Sequence, residues 1–203
     1  MKSLVHLVHP YVYKLQGDTF MIGPIEAFRE RDLKVAEFLR LALDLDHQVL
    51  HHRHHRADTL DGSLCDVAFK SDPIYGSLLF DSALDTIVTT SRGTPFPDER
   101  PEQIPLERWE IYMHHFTTDM QFKEILKPRD LSFFIGGCLD ACLANAMGYF
   151  NLHHRLTEEK LFYVPELCVT LDETKFPEIK EKLDRLHIYP LIYAEAKNLL
   201  KND

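Results

Sequence analysis

The stretch Gly136-Gly137-Cys138-Leu139-Asp140-Ala141-Cys142 sets two thiols four residues apart, where an apolar strand gives way to an apolar helix. A thiolate is the reactive form of cysteine. The start of a helix stabilises it through unsatisfied N–H groups and the macrodipole, and the same N–H groups can hold an oxyanion. The paired glycines permit a turn that a bulkier residue would resist. Four roles are open to the pair: packing, a metal clip, a disulfide, or a nucleophile. Ala141, Leu143, Ala144, Ala146 and Met147 make the segment very apolar, so chemistry alone favours packing. No second cysteine pair has matching spacing, which argues against a metal clip.

Histidine is the second chemical signal. The chain has 12, and His51, His52, His54 and His55 stand almost together after a short apolar run. In a strand, His52 and His54 share one face, a workable spacing for a divalent metal; the alternative is a polar strand end that binds nothing. His9 closes the first apolar run, and an imidazole placed against a thiol can take its proton. His114-His115 and His153-His154 are expected to be solvated.

Hydrophobic periodicity supplies the elements that must position these groups. Strands are expected at Leu4 to Val8, from Gln48 into the histidines, and at Asp85 to Thr90, Leu131 to Ile135, Leu161 to Val169 and Ile188 to Ala194. Helices are expected at Ala27 to Leu43, with Phe28, Leu39 and Leu43 inward, and at Ser77 to Ala83, Leu106 to Leu126, Leu139 to Phe150 and Lys175 to Leu186. Residues 93 to 105, with four prolines, read as a loop. Pro190 suits an edge strand, since it cannot donate to a central ladder. This alternation predicts an α/β fold, a three-layer α/β/α arrangement around a mostly parallel six-stranded sheet. No linker or repeat divides the chain, so residues 1–203 are read as one domain. Ligands of such sheets collect outside the carboxyl ends of the strands. His9, residues 51–55, Thr90 to Phe96 and Gly136 to Cys142 all fall there.

Composition narrows the classes. A net charge of −9 with no clustered basic face argues against nucleic acid. No apolar run approaches the roughly 20 residues of a membrane span. The start, MKSLVHLVHP, fits neither signal peptide nor anchor. A cytoplasmic protein with reduced cysteines is therefore expected.

The segment GGCLDACL (136–143) resembles the nucleophile turn of the isochorismatase-like cysteine hydrolases, which include nicotinamidases and N-carbamoyl amide hydrolases. Gly136, Asp140 and Cys142 match in spacing, and DTIVTTSRGTPF (85–96) resembles the family strand that carries a catalytic lysine. The resemblance implies that Cys142 is the nucleophile. It also implies a cis peptide at Gly137-Cys138, with the Cys138 and Cys142 N–H groups as the oxyanion hole. The lysine position is Thr90, and His9 and Tyr11 replace the family's D-x-Q pattern. His9 then becomes the proton-transfer partner, with Tyr11, Arg92 and Phe96 lining a substrate pocket. The expected function is hydrolysis of a small amide, carbamoyl or related acyl substrate by a thiol, in a homo-oligomer and without a cofactor. The alternatives are a non-catalytic ligand-binding or oligomerising protein of the same fold, and a metal-dependent hydrolase using the 51–55 histidines.

Overall fold

A computed structural model describes residues 2–10, 12–16, 19–22, 26–54, 72–76, 78, 85–89, 125–170 and 172–202. Strand β1 (Ser3–Val8) leads to a hairpin of β2 (Val12–Gln16) and β3 (Thr19–Ile22), then helix α1 (Arg29–Asp44) and strand β4 (Gln48–His54). Strand β5 (Asp85–Thr89) and, after the long connection, β6 (Leu131–Gly136) and α2 (Cys142–His153) follow. The chain closes with β7 (Lys160–Tyr163), α3 (Phe176–Arg185), β8 (Ile188–Pro190) and α4 (Tyr193–Asn202).

Six strands form one sheet in the order β5-β4-β1-β6-β7-β8, and every neighbouring pair is parallel. β1 lies centrally and is buried along its whole length, which explains its apolar sequence. Its alternation serves both faces. Leu4 and Val8 join Leu143, Met147, Phe150, Ile179 and Leu183 on the α2–α3 side. Val5 and Leu7 join Val35, Phe38, Leu39, Ala196 and Leu200 on the α1–α4 side. The expected three-layer α/β/α arrangement is therefore present, and Pro190 sits on the edge strand.

Several boundaries and faces differ from the sequence expectation. The inward face of α1 is Arg31, Val35, Phe38, Leu39 and Ala42; Phe28 and Leu43 are only half-buried. The helix expected from Leu139 begins at Cys142, since 139–141 form the turn itself. β7 stops at Tyr163 because Pro165 opens a 3₁₀ turn. β8 stops at Pro190, and α4 follows where strand was expected. Its inward residues, Ala196 and Leu200, are too few to signal a helix by pattern. The β2–β3 hairpin, with Gly17-Asp18 between its strands in the sequence, was not among the expected elements. The Leu106 to Leu126 helix, the 93–105 loop and most of Ser77 to Ala83 lie outside the described residues.

At the amino end of the sheet, Arg129 forms a buried ion pair with Glu159 at 2.7 Å. It also donates to the His154 carbonyl at 2.6 Å and lies 4.8 Å from the Phe150 ring centroid. His154 is consequently buried, not solvated as its sequence context suggested.

Candidate active site

The carboxyl ends of β1 and β6 lie side by side, with Val8 opposite Gly136. That register brings His9 and the glycine–cysteine turn together. Gly136 has φ +110°, in the region that favours glycine, and a Cβ there would lie 2.7 Å from the Val8 carbonyl oxygen. At Gly137 a Cβ would meet the same oxygen at 2.6 Å, the Cys142 Sγ at 2.9 Å and the His9 carbonyl oxygen at 3.1 Å. Both positions are glycine because strand and sulfur pass too close for any side chain.

The turn is held from the far side as well. Leu139 N–H donates to the Val169 carbonyl at 2.6 Å, and Val169 N–H donates to the Gly137 carbonyl at 3.1 Å. Asp140, the acid of the matched spacing, accepts from the Asp172 N–H at 2.8 Å, so it fixes this loop. The Gly137–Cys138 peptide is trans, since no cis bond occurs among the described residues; the expected cis bond is absent.

Cys142 begins α2 and is buried. Its thiol is held well below the usual range, first by a hydrogen bond from the Cys138 thiol, which outweighs burial. The His9 ring, bonded to the sulfur, and the Cys138 N–H act in the same direction. The Cys138 thiol is pushed up by the same thiol–thiol contact and by burial. The two thiols thus act on one another, and the direction of both shifts favours the thiolate on Cys142. Cys138 acts on the Cys142 sulfur through its side chain, a role that its sequence position did not reveal.

His9 is 1% exposed and has φ +38°. A non-glycine residue in that region costs about 1–3 kcal/mol, and such strain gathers at functional sites. Its N–H donates to the His52 carbonyl at 3.2 Å, which ties it to β4.

Beneath His9 lies a second feature that pattern reading missed. His6 Nδ1 and His52 Nε2 are 2.9 Å apart, both rings fully buried. His6 stacks on Phe134 at 4.2 Å and meets Phe150 edge-on at 4.5 Å. Burial, first of all, and the neighbouring imidazoles hold both rings well below the usual histidine range, so the pair is neutral. The signal was present: alternation in Leu4-Val5-His6-Leu7-Val8 puts His6 on the buried face between Leu4 and Val8.

The metal expectation at His52 and His54 meets this pair, because the His52 Nε2 is already engaged. His54 ends β4, and its side chain lies outside the described residues, as do Tyr11, Thr90, Arg92 and Phe96. Among the described residues, no group of three or more His, Cys, Asp or Glu side chains is arranged to hold a metal. A cleft of about 490 Å³, lined by residues including Lys127, Arg129, His154 and Arg155, opens at the amino end of the sheet, away from Cys142. No described helix is long and apolar enough to cross a membrane.

No family model and no curated protein sequence matches this chain. Solved structures do. An isochorismatase family protein from Desulfovibrio vulgaris matches with TM-score 0.58 at 16% identity, covering 98% of each chain. A Leishmania major protein described as a MAR1 ribonuclease matches with TM-score 0.56 at 13% identity, over 100% of this chain and 84% of the other. Pyrazinamidase of Pyrococcus horikoshii, solved in complex with zinc, gives TM-score 0.53 at 9% identity, over 95% and 99%. The fold they share with this chain is the isochorismatase-like one.

Proposed function

We propose that this chain of isochorismatase-like fold is a cysteine hydrolase acting on a small amide, carbamoyl or related acyl substrate. The observation that supports it best is the Cys142 sulfur at a helix start, bonded by His9 and by the Cys138 thiol, with its proton affinity lowered. The Cys142 thiolate attacks the carbonyl carbon, and the oxyanion forms beside the N–H groups of Cys138 and Cys142. His9, having taken the Cys142 thiol proton, donates it to the leaving amine as the C–N bond breaks, leaving a thioester on Cys142. A water molecule, its proton taken by His9, then releases the acid and restores the thiolate. Every step runs through groups of this chain, and the amide class follows both the resemblance and the pyrazinamidase neighbour. Tyr11, Thr90, Arg92 and Phe96 belong to the proposal as pocket residues. So do cytoplasmic residence and self-association, for which exposed Tyr189 and Ile192 beside edge strand β8 offer apolar surface.

A panel of small amides and carbamoyl compounds tests the proposal, together with peptide-level mass spectrometry of Cys142 alkylation against pH. Cys142 is expected to alkylate with a midpoint below the ordinary thiol value of about 8.5. Cys142→Ser should abolish turnover by more than about 10³-fold, and His9→Asn should cost roughly 10²- to 10⁴-fold. A panel without turnover, together with an ordinary thiol midpoint, would leave the non-catalytic ligand-binding role.

A further inference from the structure

The sequence carries threonine, not lysine, at position 90, yet a buried guanidinium stands against the start of the glycine–cysteine turn. Arg31 is 8% exposed and belongs to the inward face of α1. Its Nη1 donates to the Gly136 carbonyl at 2.7 Å, and its Nη2 donates to the Pro10 carbonyl at 3.1 Å. One planar group therefore spans the ends of two strands. Pro10 follows His9, and Gly136 precedes the Gly137–Cys138 turn. Arg31 also pairs with Asp32 at 2.8 Å, and Asp32 accepts from the Tyr75 hydroxyl at 2.7 Å. The segment carrying Tyr75 is itself fixed, because Asp72 accepts its N–H at 3.1 Å and pairs with Arg29 at 2.7 Å.

Such a fork has one geometry, and lysine cannot reproduce it. A buried cation paired with a carboxylate is expensive to retain for stability alone, since an apolar replacement of the whole pair is often neutral. Its position gives it a second use. Its charge acts on the Cys138 and Cys168 thiols, both of which interact with Cys142.

We propose that Arg31 is the positioning cation of the Cys142 site, clamping the ends of β1 and β6 so that His9 meets the sulfur and supplying fixed positive charge behind it. This rests on the cysteine-hydrolase reading and deepens it. Among the described residues, the groups that face the site are His9 just after β1, Cys138 and Asp140 from the turn, Cys168 from the loop after β7, and Asp32 and Tyr75 on the Arg31 side. His52 lies below His9.

The test is the pH profile of Cys142 alkylation by iodoacetamide, read by peptide mass spectrometry on the folded protein. Arg31→Met is expected to raise the midpoint by about one pH unit, a roughly tenfold slower reaction below the midpoint. Arg31→Lys, which restores the charge without the fork, should fall between Arg31→Met and the wild type. A purely structural role would lower the melting temperature and leave the midpoint in place. Should Arg31→Met fail to fold because Asp32 is stranded, Arg31→Met/Asp32→Asn removes both charges and carries the same criterion. A folded variant with the wild-type profile overturns the role of Arg31 while leaving the hydrolase proposal intact. An ordinary midpoint in the wild type overturns the hydrolase proposal itself.

Discussion

Gly137→Ala is expected to destabilise the fold by about 3 kcal/mol, the upper part of the range for overpacking a close-packed interior, and to impair the site as well. The new Cβ would lie 2.6 Å from the Val8 carbonyl oxygen, which belongs to the central strand and cannot retreat without disturbing both neighbouring strands. Its second contact, 2.9 Å to the Cys142 sulfur, pushes that sulfur out of its place at the helix start. The third, 3.1 Å to the His9 carbonyl, separates His9 from the turn. Urea unfolding should show a lower midpoint, and Cys142 alkylation of the folded fraction should shift toward an ordinary thiol profile. An alanine variant with wild-type stability would mean that β1 and β6 are not held at this separation.

Mild acid is expected to unfold the protein through His6 and His52. Both rings are neutral in the fold and held well below 6.5, chiefly by burial. The unfolded chain binds protons at about pH 6.5, whereas the folded chain does not until its lower values are reached. Stability is therefore complete above about 6.5 and falls as pH drops below it. The slope approaches about 1.4 kcal/mol per pH unit for each ring, or about 2.7 for the pair. The carboxylates held low by cation partners, Glu30, Glu37 and Asp46, lose their contribution only as pH falls below their ordinary values near 4. The two effects thus occupy separate windows. Urea titrations at pH 7.5, 6.0 and 5.0 should show the loss, and His6→Phe should reduce the slope by about half. A flat profile between pH 7 and 5 would place the rings in contact with water.

Position and pattern made much of the fold legible. β1, β4, β5 and β6 read as strands because parallel strands buried on both faces must be apolar or β-branched along their length. α2 read as a helix because its apolar residues cover more than one face. The elements that escaped were those with weak local signals. The short edge strand β8 and the helix α4 follow one another across Pro190, and two inward residues do not make a readable stripe. The β2–β3 hairpin is announced only by the Gly17-Asp18 pair between its strands, without a strong alternation on either side.

The site divides in the same way. Gly136, Gly137, Cys138 and Cys142 are adjacent in the chain, so local spacing carried their chemistry onto one turn. His9 could be proposed from the sequence only as the residue that closes the first strand. Its burial, its positive φ and its bond to the Cys142 sulfur depend on the pairing of β1 with β6, 120-odd residues away. Arg31 gave no separate sign of its role. It shares a face with Val35 and Phe38, but its partners, Pro10 and Gly136, belong to strand ends that only the fold brings beneath α1.

By itself the sequence determined the alternation of strands and helices and the identity of the thiol. Both rest on neighbours within a few residues, where backbone geometry alone decides what meets what. Only the tertiary structure decided which groups surround that thiol. The Cys138 thiol and the His9 imidazole reach it through space, by strand pairing and burial, and both lower its proton affinity.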